Sequence, residues 1–475
     1  MEMLRSVLRE LPEFQQLLTA LDSGQSPAAV SGLAAVHRAH FAACLGQESG
    51  RPVVVVCADE GEAERMARDL SFLTGGEVPV LAARSFLFHS IATVSHQWEH
   101  RRLRLLYRLS RGEVPCLVAT VEALLQRTLP PEALERACTA LAVGQSADLE
   151  ELTAHLTEAG YVRCDQVEGP GQFALRGGIL DVYSPAMEAP VRAEFFGDEV
   201  DALGIFDPGT QRRTANVEQA VLLPAAETLP HLAPGGLNGL LEQLEQRAAS
   251  ALRDGLEALA ATLRQDREAL EEGRSFPAAD RYLPLIYPKL ATAADYLPYD
   301  ACVLFSESSR VGERAKTWQW QLEEDVKTLL ERGELEGGCG TLSRSYDQLC
   351  RRLEDFPFAY LDSFALSAYP VAPRCVLSLM AKQLPSFGAS LETAVQDLSH
   401  YQSAGFSILV LVSSEQRALN LQTLLREQKV KSGVDFALKA LPQPGQIILT
   451  VGGLSGGMEY PGLKLAVITE GQSGG

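Results

Sequence analysis

The chain has 475 residues, too many for one hydrophobic core, so we expect roughly three or four domains. Its 46% hydrophobic and 22% charged residues are typical of a globular protein and exclude the disordered and fibrous classes. The net charge of −19 favours protein partners over nucleic acid, because proteins that bind phosphate backbones usually present a basic surface.

Hydropathy and cysteine usage indicate the cellular compartment of the protein. No apolar run approaches the length of a membrane span, and residues 1–14 are amphipathic without the apolar core of a signal peptide. The nine cysteines are scattered singly with no C-x-x-C pair, which suits a reducing environment and argues against a structural zinc site. We therefore expect a cytoplasmic protein with no membrane partner.

Residues 1–140 alternate strands with helices. The apolar run PVVVVCAD at 52–59 is typical of a buried parallel strand, and a helix and a second strand at 78–81 follow it. Another helix is predicted at about 97–111, and a further strand starts at Pro115. This spacing predicts a parallel sheet with crossover helices, as in a nucleotide-binding half.

Residues 160–223 interrupt that pattern with an antiparallel β unit. Val191, Ala193 and Phe195 point one way, while the polar side chains between them point the other. The Gly-Asp pair at 197–198 suits a two-residue hairpin turn, because glycine adopts positive φ without strain. We therefore predict a half-exposed sheet here.

The second half of the chain returns to helices and strands. Apolar residues recur at helical spacing from 237 to 270, which predicts one long helix ended by Gly273 and Pro277. A strand around Cys302 resumes the α/β pattern. Residues 389–470 are predicted to form a small α/β unit, whose strands begin at 406, 446 and 463. Because the chain ends directly after a strand, we expect it to be a piece of a longer protein.

A nucleotide-binding half should contain a phosphate loop of the form G-x-x-x-x-G-K-[ST]. Counted from Gly32, His37 takes the second glycine position, Arg38 the lysine position and Ala39 the hydroxyl position. His37 carries a Cβ where the turn needs none, and Ala39 offers no oxygen to a metal. We predict a degenerate loop that binds no nucleotide.

Other candidate sites carry weaker signals. The Ser-Glu pair at 306–307 stands where an Asp-Glu pair would hold Mg²⁺. His96 and His100 lie one helical turn apart, but Gln97 replaces the glutamate that a zinc protease needs as its general base. The glycines at 452–462 have no lysine or hydroxyl placed for a phosphate. We predict no catalytic residue and no metal site.

Three arginines fall within the β unit, namely Arg163, Arg176 and Arg192. They could form ordinary surface ion pairs with neighbours such as Glu194 or Asp198. They could equally belong to a polar face that a partner uses. The residue pattern by itself leaves both interpretations open.

The β unit also resembles a known family. Residues 160–185 (GYVRCDQVEGPGQFALRGGILDVYSP) and 192–212 (RAEFFGDEVDALGIFDPGTQR) resemble the signature of the bacterial transcription-repair coupling factors. They are similar, less closely, to UvrB, the damage-verifying subunit of nucleotide excision repair. Weaker similarity extends along the chain, including GGLSGG at 452–457 and LAVITEG at 465–471.

The resemblance implies an α/β multidomain protein. Its core would be a degenerate RecA/helicase-like, UvrB-like nucleotide fold with an inserted antiparallel β-rich domain, followed by a small α/β domain. The implied divisions are UvrB-like domain 1a at 1–140, a UvrA-docking insert at 141–224, domain 1b with long helices at 225–345, a linker or helical connection at 346–385 and the small domain at 386–475. The family's polymerase-binding domain and ATP-driven translocase would lie outside this chain.

The resemblance also assigns residues to UvrA binding. Arg163 matches the arginine of UvrB's Y-x-R motif and Arg176 that of its R-G motif, while Ala174 replaces a further UvrA-contacting arginine. Strand alternation predicts that Gln172, Ala174 and Arg176 share one face. We expect the face that bears Arg163 and Arg176 to carry the UvrA contact. Residues 83–98 lack UvrB's tyrosine-rich DNA-clamping hairpin, and this departure favours a coupling factor over UvrB.

Two functions remain open. The first is a non-catalytic module that recruits UvrA, in a family that recognises RNA polymerase stalled at lesions, releases it with ATP and recruits excision repair. The second is a nucleotide-dependent DNA-remodelling module that binds ATP in a variant loop. The degenerate loop and the acidic charge favour the first. We then expect no cofactor here, with ATP, Mg²⁺, DNA and polymerase bound by absent domains.

Overall fold

The computed structural model describes residues 1–89, 97–274, 276–388 and 390–472. Within these residues, no helix combines the length and the apolar character that crossing a membrane requires. The strands, numbered β1 to β21 in chain order, are Ala28–Ser31, Val53–Cys57, Val80–Leu81, Cys116–Thr120, Thr139–Ala142, Val162–Arg163, Gln172–Arg176, Ile179–Val182, Val191–Phe196, Glu199–Phe206, Arg213–Asn216, Gln219–Leu222, Cys302–Ser306, Phe358–Leu361, Cys375–Ser378, Lys382–Leu384, Ser407–Val412, Gly433–Val434, Ile447–Val451, Gly457–Tyr460 and Leu465–Thr469.

Helices connect most of these strands. The α-helices, α1 to α15 in chain order, are Glu2–Ser6, Pro12–Asp22, Ala35–Ser49, Glu60–Thr74, Gln97–Ser110, Val121–Leu125, Pro131–Ala137, Leu149–Glu158, Gly236–Arg253, Glu257–Glu271, Leu283–Ile286, Ser308–Glu331, Tyr346–Leu353, Leu391–Ser403 and Glu415–Glu427. Short 3-10 helices cover Val7–Glu10, Pro230–Leu232, Ala279–Tyr282, Ala293–Tyr296, Gly337–Cys339 and Pro461–Leu463.

The first sheet is parallel and has the strand order β15-β1-β14-β13-β2-β4-β3. Every residue of β2 is buried, because helices cover both sides of the sheet. Val54 and Val56 enter the hydrophobic core on one side, and Val53 and Val55 enter the core on the other. The predicted strands at 52–59, 78–81, 115 and 302 are confirmed as β2, β3, β4 and β13.

The predicted linker or helical connection at 346–385 does contain a helix, but it is wrong in leaving out two strands of the first sheet. It contains α13 as well as β14 and β15, which flank β1 in the parallel sheet. Residues 225–345 likewise contribute β13 to the middle of that sheet, so they do not form a separate domain from 1–140. The sequences of β14 and β15, FAYL and CVLS, are too short for periodicity to identify them.

The predicted single helix at 237–270 is also wrong, because the structure has two helices, α9 and α10, that pack against each other. Gly255 breaks the helix between them with φ +78°, a conformation that favours glycine. Leu252 and Leu256, which extended the apolar series, are exposed at this break. The apolar residues keep their helical spacing across the turn at Gly255, so the sequence pattern does not reveal the break.

The insert is a six-stranded sheet with the order β11-β10-β9-β8-β7-β6. Its pairs are antiparallel except for the short parallel pair β6–β7. The antiparallel pair of β5 and β12 brackets the insert in sequence. The predicted antiparallel unit is confirmed, and so is its hairpin turn, where Gly197 has φ +62° between β9 and β10.

The last unit is a mixed sheet of order β16-β20-β21-β17-β19-β18. The strands predicted from 406, 446 and 463 are confirmed as β17, β19 and β21. The predicted boundary at 386 is late, because β16 already belongs to this sheet. Leu454 and Tyr460 join the core of the first sheet, and Asp69 of α4 accepts hydrogen bonds from the Ser455 amide (2.8 Å) and hydroxyl (2.5 Å). The last unit therefore packs firmly on the first.

A buried ionic cluster ties the end of the insert to the first sheet. Glu227 is fully buried and accepts hydrogen bonds from Arg84 and, at 2.7 Å, from Arg102. Arg84 also binds Asp280 through two bonds of 2.7 and 2.8 Å, and Thr228 donates to the same carboxylate at 2.6 Å. Burial is the largest single influence and acts to raise the pKa of Asp280. The Arg84 guanidinium, together with hydrogen bonds from the Leu87 amide and the Thr228 hydroxyl, nevertheless holds the pKa of that carboxyl below its usual value.

We expect Glu227→Ala to destabilise the protein by about 3 kcal/mol, because it leaves the buried guanidinium of Arg102 without a carboxylate and removes one of the two carboxylates that bind Arg84. Urea denaturation would measure the loss. The matched control is Glu242→Ala, an exposed glutamate on α9, which should change stability by less than about 0.5 kcal/mol. Equal stability of both variants would contradict a structural role for the cluster.

Candidate functional site

The predicted phosphate loop follows β1 and leads into α3. Gly32 has φ +88°, and a Cβ at this position would overlap the carbonyl oxygen of Leu379 at the end of β15. The glycine is therefore required by the close approach of a neighbouring strand. This requirement involves no phosphate, so Gly32 alone is no sign of a nucleotide site.

Arg38 fills the crevice at the carboxyl end of the parallel strands. Its guanidinium donates to the Ser306 hydroxyl (2.8 Å), the Leu33 carbonyl (2.8 Å) and the Glu307 carboxylate (2.9 Å). It also donates to the Ser363 hydroxyl at 3.2 Å. A lysine in a working loop would direct its charge to a phosphate, whereas the charge of Arg38 is already neutralised by Glu307.

The other two loop positions, His37 and Ala39, are packed in the interior of the protein. His37 is fully buried against the ring of Tyr460 in the last unit, with 5.1 Å between ring centroids in an edge-to-face arrangement. Burial lowers the pKa of His37 to about 3, so the ring is neutral at physiological pH. Ala39 is buried in the hydrophobic core. The three positions thus contribute to the interior of the protein.

The remaining candidate sites also serve the fold. At the end of β13, Ser306 and Glu307 bind Arg38. The Asp362 carboxylate accepts a hydrogen bond of 2.6 Å from the amide of Ser308, the first residue of α12. His96 lies outside the described residues. In the part of the chain that the structure describes, no cluster of histidine, cysteine and acidic side chains could hold a metal ion.

Strand β7 carries three of the predicted partner-binding residues. Phe173 and Leu175 pack in the main core of the insert, so Gln172, Ala174 and Arg176 point to the other face, as predicted. This face is not uniformly exposed. Ala174 is buried in a small cluster with Val167 and Phe206, and the Gln172 side-chain oxygen accepts backbone amides of the 168–169 loop at 2.8 and 3.1 Å.

Arg176 and Arg192 differ in their surroundings. Arg192 donates two bonds, of 2.8 and 3.0 Å, to the buried carboxylate of Asp181, and its guanidinium lies 4.5 Å from the ring centre of Phe206. Arg192 is thus ion-paired, but with the buried Asp181 rather than with a surface neighbour such as Glu194 or Asp198. Arg176 is 3.9 Å from the same carboxylate, and 59% of its side chain is exposed. Its guanidinium thus remains accessible to a partner.

Arg163 lies on the edge strand β6. The parallel register pairs Val162 with Gln172 and Arg163 with Phe173. Because alternate residues of β7 point to opposite faces, Arg163 and Arg176 do not share one face, and the predicted common face is wrong in this respect. Arg163 is exposed and forms no hydrogen bond or ion pair with any residue that the structure describes.

Sequence analysis missed an apolar pair beside Arg176. Phe196 at the end of β9 is 83% exposed, and Ile179 at the start of β8 is 39% exposed. Ile179 is in register with both Arg176 and Glu194, so these residues share the outer face with Phe196. The signal was present, because two adjacent phenylalanines in a strand must point to opposite faces.

Comparison with known proteins identifies a protein family model and relatives that this chain resembles. Residues 139–227 match a protein-family model described as the UvrB interaction domain. The transcription-repair-coupling factor of Bacillus subtilis is 28% identical over 99% of this chain, and that of Staphylococcus haemolyticus is 26% identical over 93% of it. The chain is a homologue of the transcription-repair coupling factors. It spans 40% and 38% of the length of these two relatives.

The matched range coincides with structural features of the coupling-factor homologue. It begins at Thr139, the first residue of β5, and ends at Glu227, the buried carboxylate of the ionic cluster. Arg163 and Arg176 lie within the range, as do Phe196 and Ile179. The predicted degenerate phosphate loop, from Gly32 to Ala39, lies outside it.

We expect no saturable binding of Mg-ATP to this chain at millimolar nucleotide, because Arg38 and Glu307 already neutralise each other in the crevice. Titration with a fluorescent ATP analogue would test this, with a nucleotide-binding ATPase as the positive control. Saturable binding that Arg38→Ala abolishes in a folded variant would contradict the expectation.

Proposed function

We propose that this chain is a non-catalytic recruitment module, whose β-rich insert binds UvrA within a protein that couples stalled transcription to excision repair. One observation carries the proposal: the region that matches the UvrB interaction domain presents Arg176 on an outer face with most of its side chain exposed. The resemblance of that region to UvrB assigns the matching arginine to UvrA contact.

The chemistry of arginine suits this role. Its planar guanidinium pairs with a carboxylate through two parallel hydrogen bonds, and its aliphatic stem covers apolar surface. In the described structure, the carboxylate nearest to Arg176 is Asp181, which is buried and saturated by Arg192. A carboxylate of UvrA can therefore approach Arg176 without displacing a strong intramolecular pair.

Other activities of the relatives would require parts of the protein beyond this chain. We propose that ATP-dependent release of RNA polymerase, and the binding of polymerase, DNA, ATP and Mg²⁺, belong to those parts. The filled crevice around Arg38 argues against the alternative of a nucleotide-dependent DNA-remodelling module, since a phosphate would have to displace the Glu307 carboxylate from Arg38.

We expect Arg176→Glu to weaken UvrA binding by more than about thirtyfold, because it removes a cation and places like charges together at the interface. Arg163→Glu should weaken binding less, since Arg163 lies on the opposite face at the sheet edge. Calorimetry against purified UvrA would measure both, with melting temperature as the folding control.

The matched control for charge reversal is Arg253→Glu, because Arg253 is exposed on α9, outside the insert. It should bind UvrA like the parent chain. Unchanged affinity in a folded Arg163→Glu, Arg176→Glu double variant would show that these arginines do not carry the contact.

We also expect weak DNA binding at most, without preference for lesions, because the chain carries a net charge of −19. Electrophoretic mobility of intact and lesion-bearing duplexes at moderate salt would measure it. Tight, salt-dependent retardation of the damaged duplex would instead favour the DNA-remodelling function.

A further inference from the structure

The outer face of the insert has an apolar centre with charged neighbours. Phe196 and Ile179 expose 83% and 39% of their surfaces. Register places Ile179 between Arg176 on β7 and Glu194 on β9, and Phe196 lies two residues beyond Glu194 on the same face. Glu194 pairs with Arg213 at 3.0 Å, so the apolar pair has a cationic neighbour in Arg176 and an ion pair close by.

The backbone around this centre is held in place by the adjacent hairpins. The Phe195 amide donates to the Gly178 carbonyl at 2.8 Å, which ties the β7–β8 turn to β9. A Cβ at Gly178 would lie 2.9 Å from the Phe195 carbonyl oxygen, so glycine permits this close approach. Phe195 itself packs against the core of the insert. Phe196 is consequently presented from a fixed backbone, which reduces the conformational entropy lost on binding.

An exposed phenylalanine at this position contributes little to the stability of the isolated chain. Aromatic side chains provide large contact areas at interfaces, and they are frequent among the few residues that dominate binding energy. Rim charges, in contrast, mainly set orientation and association rate. The geometry therefore assigns the anchoring role to the apolar pair and the orienting role to Arg176.

We propose that Phe196 and Ile179 are the apolar anchor of the UvrA-docking face, and that UvrA offers them an apolar pocket bordered by a carboxylate facing Arg176. The inference rests on the proposed function and adds the residues and the partner chemistry that dominate its affinity. UvrA is the occupant because both residues lie inside the region matched to the UvrB interaction domain, on the same face as Arg176.

The test is Phe196→Ala in the complete chain, measured by calorimetry against UvrA at low and at high salt. We expect about thirtyfold weaker binding at both salt concentrations, because apolar contact is not screened. The loss caused by Arg176→Ala should shrink as salt rises. Phe196→Leu, which keeps an apolar side chain, should recover part of the affinity.

The matched control is Phe364→Ala, because Phe364 is 81% exposed and lies after β14, outside the insert. It should bind UvrA like the parent chain. If the parent binds and folded Phe196→Ala binds equally well, the anchor is wrong and the proposed function stands. If the parent chain itself does not bind UvrA, the proposed function fails and the anchor fails with it.

A second copy of this chain is the other possible occupant. Sedimentation of the parent chain and of the Phe196→Ala variant would show whether this face binds a second copy of the chain. Self-association that Phe196→Ala abolishes, together with unchanged UvrA affinity, would overturn the assignment to UvrA.

Discussion

The buried carboxylate of Glu227 is the interaction on which the arrangement of the insert depends. Arg84 follows β3 of the parallel sheet, Arg102 belongs to α5, and both converge on this one side chain. Removing a charge from water is costly unless its partners satisfy it, so separating Glu227 from these arginines would be unfavourable. The cluster therefore gives the insert a defined orientation on a rigid sheet, and an outer face that can bind a partner without first becoming ordered.

The crevice around Arg38 contributes to the same rigidity. In a working loop, the space beside the carboxyl ends of the strands is left open for phosphate. Here Arg38 closes it by linking the loop to the ends of β13 and β14, and Tyr460 of the last unit packs over His37. Of the three loop positions, Arg38 thus links the loop to the strand ends, His37 contacts the last unit, and Ala39 packs in the core.

The sequence predicted those elements that depend on residues close together in the chain. Long apolar runs such as 52–59 indicated buried parallel strands, and alternation with a Gly-Asp turn indicated the hairpin of the insert. Features that depend on distant partners could not be predicted. The ion pair of Arg38 with Glu307 joins residues far apart in the chain, and the burial of Ala174 depends on Phe206 from another strand. Exposure of Phe196 required knowledge of which face the core occupies.

The chain order of the parallel sheet has a consequence for protein synthesis. Strand β1 pairs only with β14 and β15, which emerge from the ribosome more than 300 residues later. At bacterial elongation rates of roughly 5–20 residues per second, β1 waits tens of seconds for its neighbours. The insert pairs its strands among themselves and is complete well before then. We therefore expect the insert to be folded on the nascent chain while the sheet that carries it is still open.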